Sequence, residues 1–240
     1  MKLRKNIKNE IPGILIAVFF AISFASCSSS TTPSSNNNNT TGSSTIHPKL
    51  GSTFTDSSYT RDTSLNPVPS SGSVIVYTLT DTNFSIGGKT NIFKFTSTSD
   101  TILLHYESNG DFSNYTTFGI GSLVVGQEWV TLPSQSQGTI PITPFSTFFF
   151  IDTIQVTGSA SGTGTETEMI GTHSLNASKT LLNADAYAIT LKVHTLASGN
   201  TAFAPALGFP THFDITTKGN FSGTSLNGGI HRFLIDYNLK

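Results

Sequence analysis

The residues of this chain with the means to do chemistry form a few short patterns of histidine and carboxylate. His105-Tyr106-Glu107 and His212-Phe213-Asp214 each set an imidazole and a carboxylate two positions apart. On a β-strand that spacing sends both side chains to one face, and two such strands side by side could hold a divalent cation. Nothing in the sequence makes the two segments neighbours, and three- or four-ligand sites usually show a clearer pattern. Both are therefore read as solvated polar pairs, and no metal site is assigned. His231, beside Phe233 in the last apolar alternation, is read as a hydrogen-bonded rim or core histidine. Glu166 and Glu168 lie two apart in a threonine-rich run. They are read as charges facing water on a polar edge, where they discourage strand addition by a second chain.

No catalytic signature accompanies these patterns. Gly119-Ile120-Gly121 lacks the third glycine at dinucleotide spacing, and no helix pattern follows it. The glycines of 158–164 have no lysine after them, so they make no phosphate loop. There is no Gly-x-Ser-x-Gly elbow and no His-Glu-x-x-His. Serine, histidine and aspartate are all present, but their spacing indicates no hydrolytic triad. No catalytic residue and no cofactor is expected. The stretch with most functional leverage is 145–151, where Phe148-Phe149-Phe150-Ile151 leaves neither face polar. It is either a central strand buried on both sides or the wall of a cavity. In the second case Phe148, Phe150 and the single Trp129 line a space for an acyl chain or another apolar ligand.

The elements that would position these residues are short strands. Residues 73–80 put Ile75, Tyr77 and Leu79 on one face. Residues 101–107 and 112–118 flank Ser108-Asn109-Gly110-Asp111, the strongest short-range hairpin signal in the chain. Residues 90–96, 123–132, 145–157, 163–172, 184–195, 211–218 and 230–239 read as further strands. In 184–195, Tyr187, Ile189, Leu191 and Val193 are expected inward, and in the last strand Phe233, Ile235, Tyr237 and Leu239 share a face. Residues 174–182 are the best candidate for a short helical piece. Period-2 alternation at this density predicts an all-β domain over 48–240, a single antiparallel sandwich or a strongly curved half-barrel sheet of about 8–11 strands. No repeat period suggests a solenoid or propeller.

The first 45 residues are of a different kind. Lys2, Arg4, Lys5 and Lys8 precede an apolar core over 14–24, shorter than the roughly 20 residues a bilayer span takes. Phe24-Ala25-Ser26-Cys27 closes it, with small residues before the only cysteine. This ending resembles the lipobox of bacterial lipoprotein signal peptides, with Phe24 where that pattern usually has leucine. The resemblance implies a signal peptide over 1–26, cleavage before Cys27, and a diacylglyceryl group on the Cys27 thiol. With no second thiol there is no disulfide framework. Residues 28–45 contain no apolar side chain to offset the entropy of ordering. The lipidated Cys27 and the Ser/Thr/Asn segment to residue 47 therefore read as a flexible tether, spanning roughly 25 Å root-mean-square.

Four of the 13 Lys/Arg and one of the 14 Asp/Glu precede Cys27, which leaves the remainder at a net charge of −4. So acidic a body has no footprint for nucleic acid or for anionic lipid, and membrane attachment would rest on acyl chains. The body resembles the glycine- and threonine-rich β domains of lipoproteins from Bacteroidota-like bacteria and, more distantly, the half-barrels of periplasmic lipid and lipoprotein carriers. Together these readings lead to a non-enzymatic binding or structural module, lipid-anchored in the cell envelope. No acidic residue stands just after Cys27, which under the lipoprotein resemblance favours the periplasmic face of an outer membrane. Its partners would be an envelope protein, a glycan or an apolar ligand. A carrier of an apolar ligand and, less favoured, an envelope hydrolase are the alternatives.

Overall fold

The computed structural model describes residues 46–86, 89–98, 101–120, 123–133, 138–149 and 152–240, and for 115–120, 123–131 and 142–149 the backbone alone. Cys27, residues 28–45 of the tether and Phe150 lie outside the described residues. The strands are β1 (Thr53–Arg61), β2 (Ser73–Ile86), β3 (Lys89–Thr96), β4 (Thr101–Tyr106), β5 (Phe112–Ile120), β6 (Leu123–Leu132) and β7 (Gly138–Phe149). There follow β8 (Asp152–Ile170), β9 (His173–Ala188), β10 (Val193–Ala204), β11 (Phe209–Phe221), β12 (Thr224–Ser225) and β13 (Gly228–Asn238). Trp129 falls in β6 and Phe148 in β7, where only the backbone is described.

Among the described residues all the strands belong to one 13-stranded sheet, in the order β6-β5-β4-β3-β2-β1-β13-β11-β10-β9-β8-β7, with β12 paired to β11. Every pairing is antiparallel. The expected all-β domain is therefore present, as a strongly curled half-barrel sheet. Strands that are not neighbours in that order meet across its interior. Phe112 of β5 stacks on Phe203 of β10 with ring centroids 4.1 Å apart, and Phe54 of β1 stacks on Phe209 of β11 at 4.0 Å. Tyr106 of β4 donates its hydroxyl to the carbonyl of Gly208, before β11, at 2.6 Å. Burial pushes the Tyr106 phenol well above its ordinary pKa, which keeps that donor protonated. Each aromatic filling the curl removes on the order of 2–3 kcal/mol of apolar surface cost from water.

The Asn109-Gly110 hairpin forms between β4 and β5 with different chemistry from that expected. Gly110 takes φ 90° while Asn109 keeps a negative φ, and the Gly110 N–H donates to the Glu107 carbonyl at 3.0 Å. The Asn109 side chain instead caps the Asp111 N–H at 3.0 Å. One left-handed glycine after a tight turn makes a three-residue loop. In β2 the expected face is observed: Tyr77 and Leu79 are buried while Val74 and Val76 point out.

Four segments differ from expectation. Residues 145–157 are not one strand: Phe145–Phe149 of β7 pair with Asp152–Val156 of β8, and β7 stands at an end of the strand order, not at its centre. Residues 174–182 form the first half of β9, not a helix, because a continuous ladder to β8 overrides a weak local preference. Residues 184–195 are not one strand. The chain turns at 189–192, where Lys192 takes φ 55°, and Ala184, Ala186, Ala188 and Val193 face the core. Asp152 builds that turn, its carboxylate accepting from the N–H groups of Thr153 (2.7 Å), Thr190 (2.8 Å) and Leu191 (2.8 Å). In β13 the buried side chains are Arg232 and Leu234, whereas Phe233 is 37% exposed. The Arg232 guanidinium reaches the Asp56 carboxylate of β1 at 3.1 Å and the Tyr77 hydroxyl of β2 at 3.1 Å. A charge at a core position thus inverts the face that apolar counting selects.

Candidate binding cleft

Alternation along β11 separates two sets of side chains. Thr211, Phe213 and Ile215 are buried in the core, so His212 and Asp214 emerge together on the opposite face. The antiparallel register places Asp214 across from His231 of β13, and His231 across from Tyr59 of β1. His231 stacks on Tyr59 with centroids 4.8 Å apart and meets His212 edge-on at 5.0 Å. On the other side, His212 lies across from Ala202 of β10, which lies across from Lys179 of β9. Ala202 contributes only a methyl, leaving room above it for longer side chains from β8.

Those side chains arrive because β8 changes face. A bulge between Gly162 and Gly164 shifts its ladder to β9, so that Glu166 pairs with Ala177 and Glu168 with Leu175. Lys179, Ala177 and Leu175 point away from the side on which Thr180, Leu182 and Ala184 face the core. Glu166 and Glu168 therefore stand on the same face as His212. The hairpin tip then lies against β13: a Cβ added at Gly171 (φ 58°) would come 3.7 Å from the Ile235 carbonyl oxygen, and His173 lies 5.6 Å from Tyr237, ring to ring. Between this tip and the β11–β13 pair is an open cleft of about 320 Å³, lined by Glu168, Met169, Thr211, His212, His231 and Phe233 among others.

The electrostatics are uneven. Asp214 is gripped by Arg61, whose Nη2 lies 3.1 and 3.0 Å from its two oxygens and whose Nε lies 3.3 Å from the first. Glu166 is paired with Lys179 at 2.8 Å. Glu168 has a longer approach, 3.8 Å to His212 Nδ1. Burial pushes the Glu168 carboxyl above its ordinary range, with the charge of Glu166 adding to the shift and Thr211 and Lys179 opposing it. Burial, then the neighbouring His231, pushes His212 below its ordinary value. His231 Nδ1 lies 3.3 Å from an Asp214 oxygen but is not aligned for a hydrogen bond. It and His212 Nε2 are buried atoms with no hydrogen-bond partner among the described residues.

Of the residues singled out from sequence, His212, Asp214, His231, Glu166 and Glu168 converge here. Glu168 does not face water on a polar edge; its side chain is 16% exposed and turned toward His212. His105 and Glu107 remain apart, since β3, β2, β1 and β13 separate β4 from β11 in the sheet. Glu107 accepts from Ser113 at 2.7 Å and sits 3.3 Å from His105 Nδ1 through the same oxygen. A carboxylate there stands between hydroxyl and imidazole, whereas activation of a serine places it behind the imidazole. Sequence reasoning missed Arg61, Lys179 and Tyr59. Only the strand pairings bring them to the cleft, and no local motif marks them. No protein-family model, no curated protein and no solved structure matches the chain.

Proposed function

We propose that this chain is a lipid-anchored module of a bacterial cell envelope that binds a partner without turning it over, with the β8–β11–β13 cleft as its binding face. The observation that carries the binding half is the makeup of the cleft. It combines an ionisable floor of His212, His231 and Glu168 with an apolar rim, Met169 being 66% and Phe233 37% exposed. Concave sites with apolar walls and a few convergent polar groups are the usual form of a ligand site. An envelope protein or a glycan would meet both components.

The anchoring half rests on the basic, apolar, small-residue and cysteine order of residues 1–27. Its mechanical counterpart lies at the start of the described domain. The Ile46 N–H donates to the Pro205 carbonyl at 2.8 Å, His47 stacks 4.5 Å from Tyr106, and Pro48 is buried. A tether ending there would hold the domain at one fixed corner. His212 lies four residues beyond Gly208 along the neighbouring strand, on the order of 13 Å away, so the cleft would work close to the tethered end. Membrane fractionation of Cys27→Ser tests the attachment. The variant is expected in the soluble fraction, and a variant that stays with the membranes would contradict it.

The apolar-carrier reading keeps one observation in its favour. Trp129 and Phe148 sit on β6 and β7, the two ends of the strand order, and these edges come close to one another. Quenching of Trp129 fluorescence by a brominated fatty acid is the expected outcome of that reading. Undiminished emission would rule out the seam as an acyl site.

A further inference from the structure

We infer that the floor of the cleft is a divalent-cation site of the zinc type, with His212, Asp214 and His231 as its ligands. This deepens the binding reading above by naming a cation as what the cleft takes, and it rests on the cleft being the binding face. Three observations carry it.

The first is convergence. One ligand atom from each of His212, Asp214 and His231 falls within 4.8 Å of the other two, and the same holds for Glu166, Glu168 and His212. Zinc ligands about 2.0–2.1 Å from the metal stand roughly 3.3 Å apart, so side-chain rotations closing roughly 1.5 Å would complete the set. The second is the state of the imidazoles. His212 Nε2 and His231 Nδ1 are buried without a hydrogen-bond partner among the described residues. Buried polar atoms in native proteins nearly always have partners, and an orphaned one asks for an ion or a water. Two of them in one cluster beside carboxylates make a donor set for a cation.

The third is the support around the ligands. Asp214 is oriented by the Arg61 fork, and the His231 ring is fixed by its stack on Tyr59. Such outer contacts keep metal ligands in place at the cost of some carboxylate charge. Two imidazoles with carboxylates and no thiolate suit zinc, with nickel and copper as chemical relatives. The ligands come from the paired strands β11 and β13, with Glu168 of β8 beside the His212 ring, 3.8 Å from its Nδ1.

The test is a zinc titration of the full chain carrying Cys27→Ser, which removes the one thiol, after chelator treatment. Calorimetry is expected to show one zinc per chain. At a hundredfold excess over the dissociation constant the melting temperature should rise by roughly 5–10 °C. Cobalt in place of zinc should give the visible absorption of a tetrahedral site. His231→Gln and His212→Ala should each weaken zinc by at least about 100-fold, more than loss of an outer-sphere contact does. Circular dichroism of each variant checks that it is folded, and Glu107→Gln, remote from the cleft, should bind zinc like the parent. No heat and no melting shift at 100-fold excess of zinc over protein would overturn the site. So would binding that survives in a folded His212→Ala/His231→Gln double variant. The titration involves neither partner nor membrane. Its failure overturns the cation site alone, while retained membrane attachment of Cys27→Ser overturns the anchoring alone.

Discussion

His231 and Arg232 are adjacent in the chain and face opposite sides of the same sheet, and the two sides treat polar groups differently. Arg232 is 6% exposed, and its guanidinium meets the Asp56 carboxylate and the Tyr77 hydroxyl while lying over the Tyr77 and Phe213 rings at 5.6 and 5.8 Å. Charge, donor and aromatic face meet within the protein, the guanidinium contact being made through Asp56 Oδ2. His231, one residue back, belongs to a cluster with three carboxylates, two cations and two buried imidazole nitrogens without hydrogen bonds. The comparison teaches that burial of a polar group is not one phenomenon. The inner cluster joins β1, β2, β11 and β13 through a buried charge pair, a hydroxyl and two aromatic faces; the outer cluster holds two imidazole nitrogens without a hydrogen bond among the described residues.

The largest effect should come from breaking the inner match. Arg232→Leu leaves the Asp56 carboxylate in the core without its cation, and a loss of about 3–5 kcal/mol in urea unfolding is expected. Asp56→Leu/Arg232→Leu, which removes both charges, should recover most of that loss. A double variant as unstable as the single one would show that packing, not the unpaired charge, sets the cost.

A smaller effect is expected at Asp152, the other inner carboxylate whose partners come entirely from the fold. Burial pushes this carboxyl up, but the backbone donors of Thr190, Leu191 and Thr153 outweigh it and hold its pKa below the ordinary 3.8. Its contribution is therefore fully present above the unfolded value and lost as the pH falls through the folded one. Asp152→Ala should cost about 1–3 kcal/mol at neutral pH. Its stability curve should converge on that of the parent below pH 3.8. A gap that persists unchanged into acid would mean that the turn loses packing, not a charged cap.

Much of the architecture is legible in the sequence, and the reason is periodicity. Tyr77 and Leu79 are separated from Val74 and Val76 by simple alternation, and Gly110 marks its hairpin through conformational freedom. The misreadings arise where burial is polar. β1 carries Phe54, Asp56 and Ser58 inward, a pattern that hydrophobic counting passes over. Arg232 reverses the inferred face of β13 for the same reason. The 189–192 turn is hidden because its stop signal, Asp152, lies at the start of another strand. His212 and Asp214 were recognisable as a pair on one face. Their meeting with Glu168 depends on a bulge in β8 and a register four strands long, information spread over residues 162–233.

The central claim is that the two faces differ in purpose, and one measurement addresses it directly. Urea unfolding of Arg232→Leu and of His212→Ala/His231→Gln in metal-free buffer compares them under a single condition. The inner variant is expected to lose about 3–5 kcal/mol and the outer one about 1 kcal/mol or less. Equal losses would contradict the account, because the outer cluster would then hold the fold together as the inner one does.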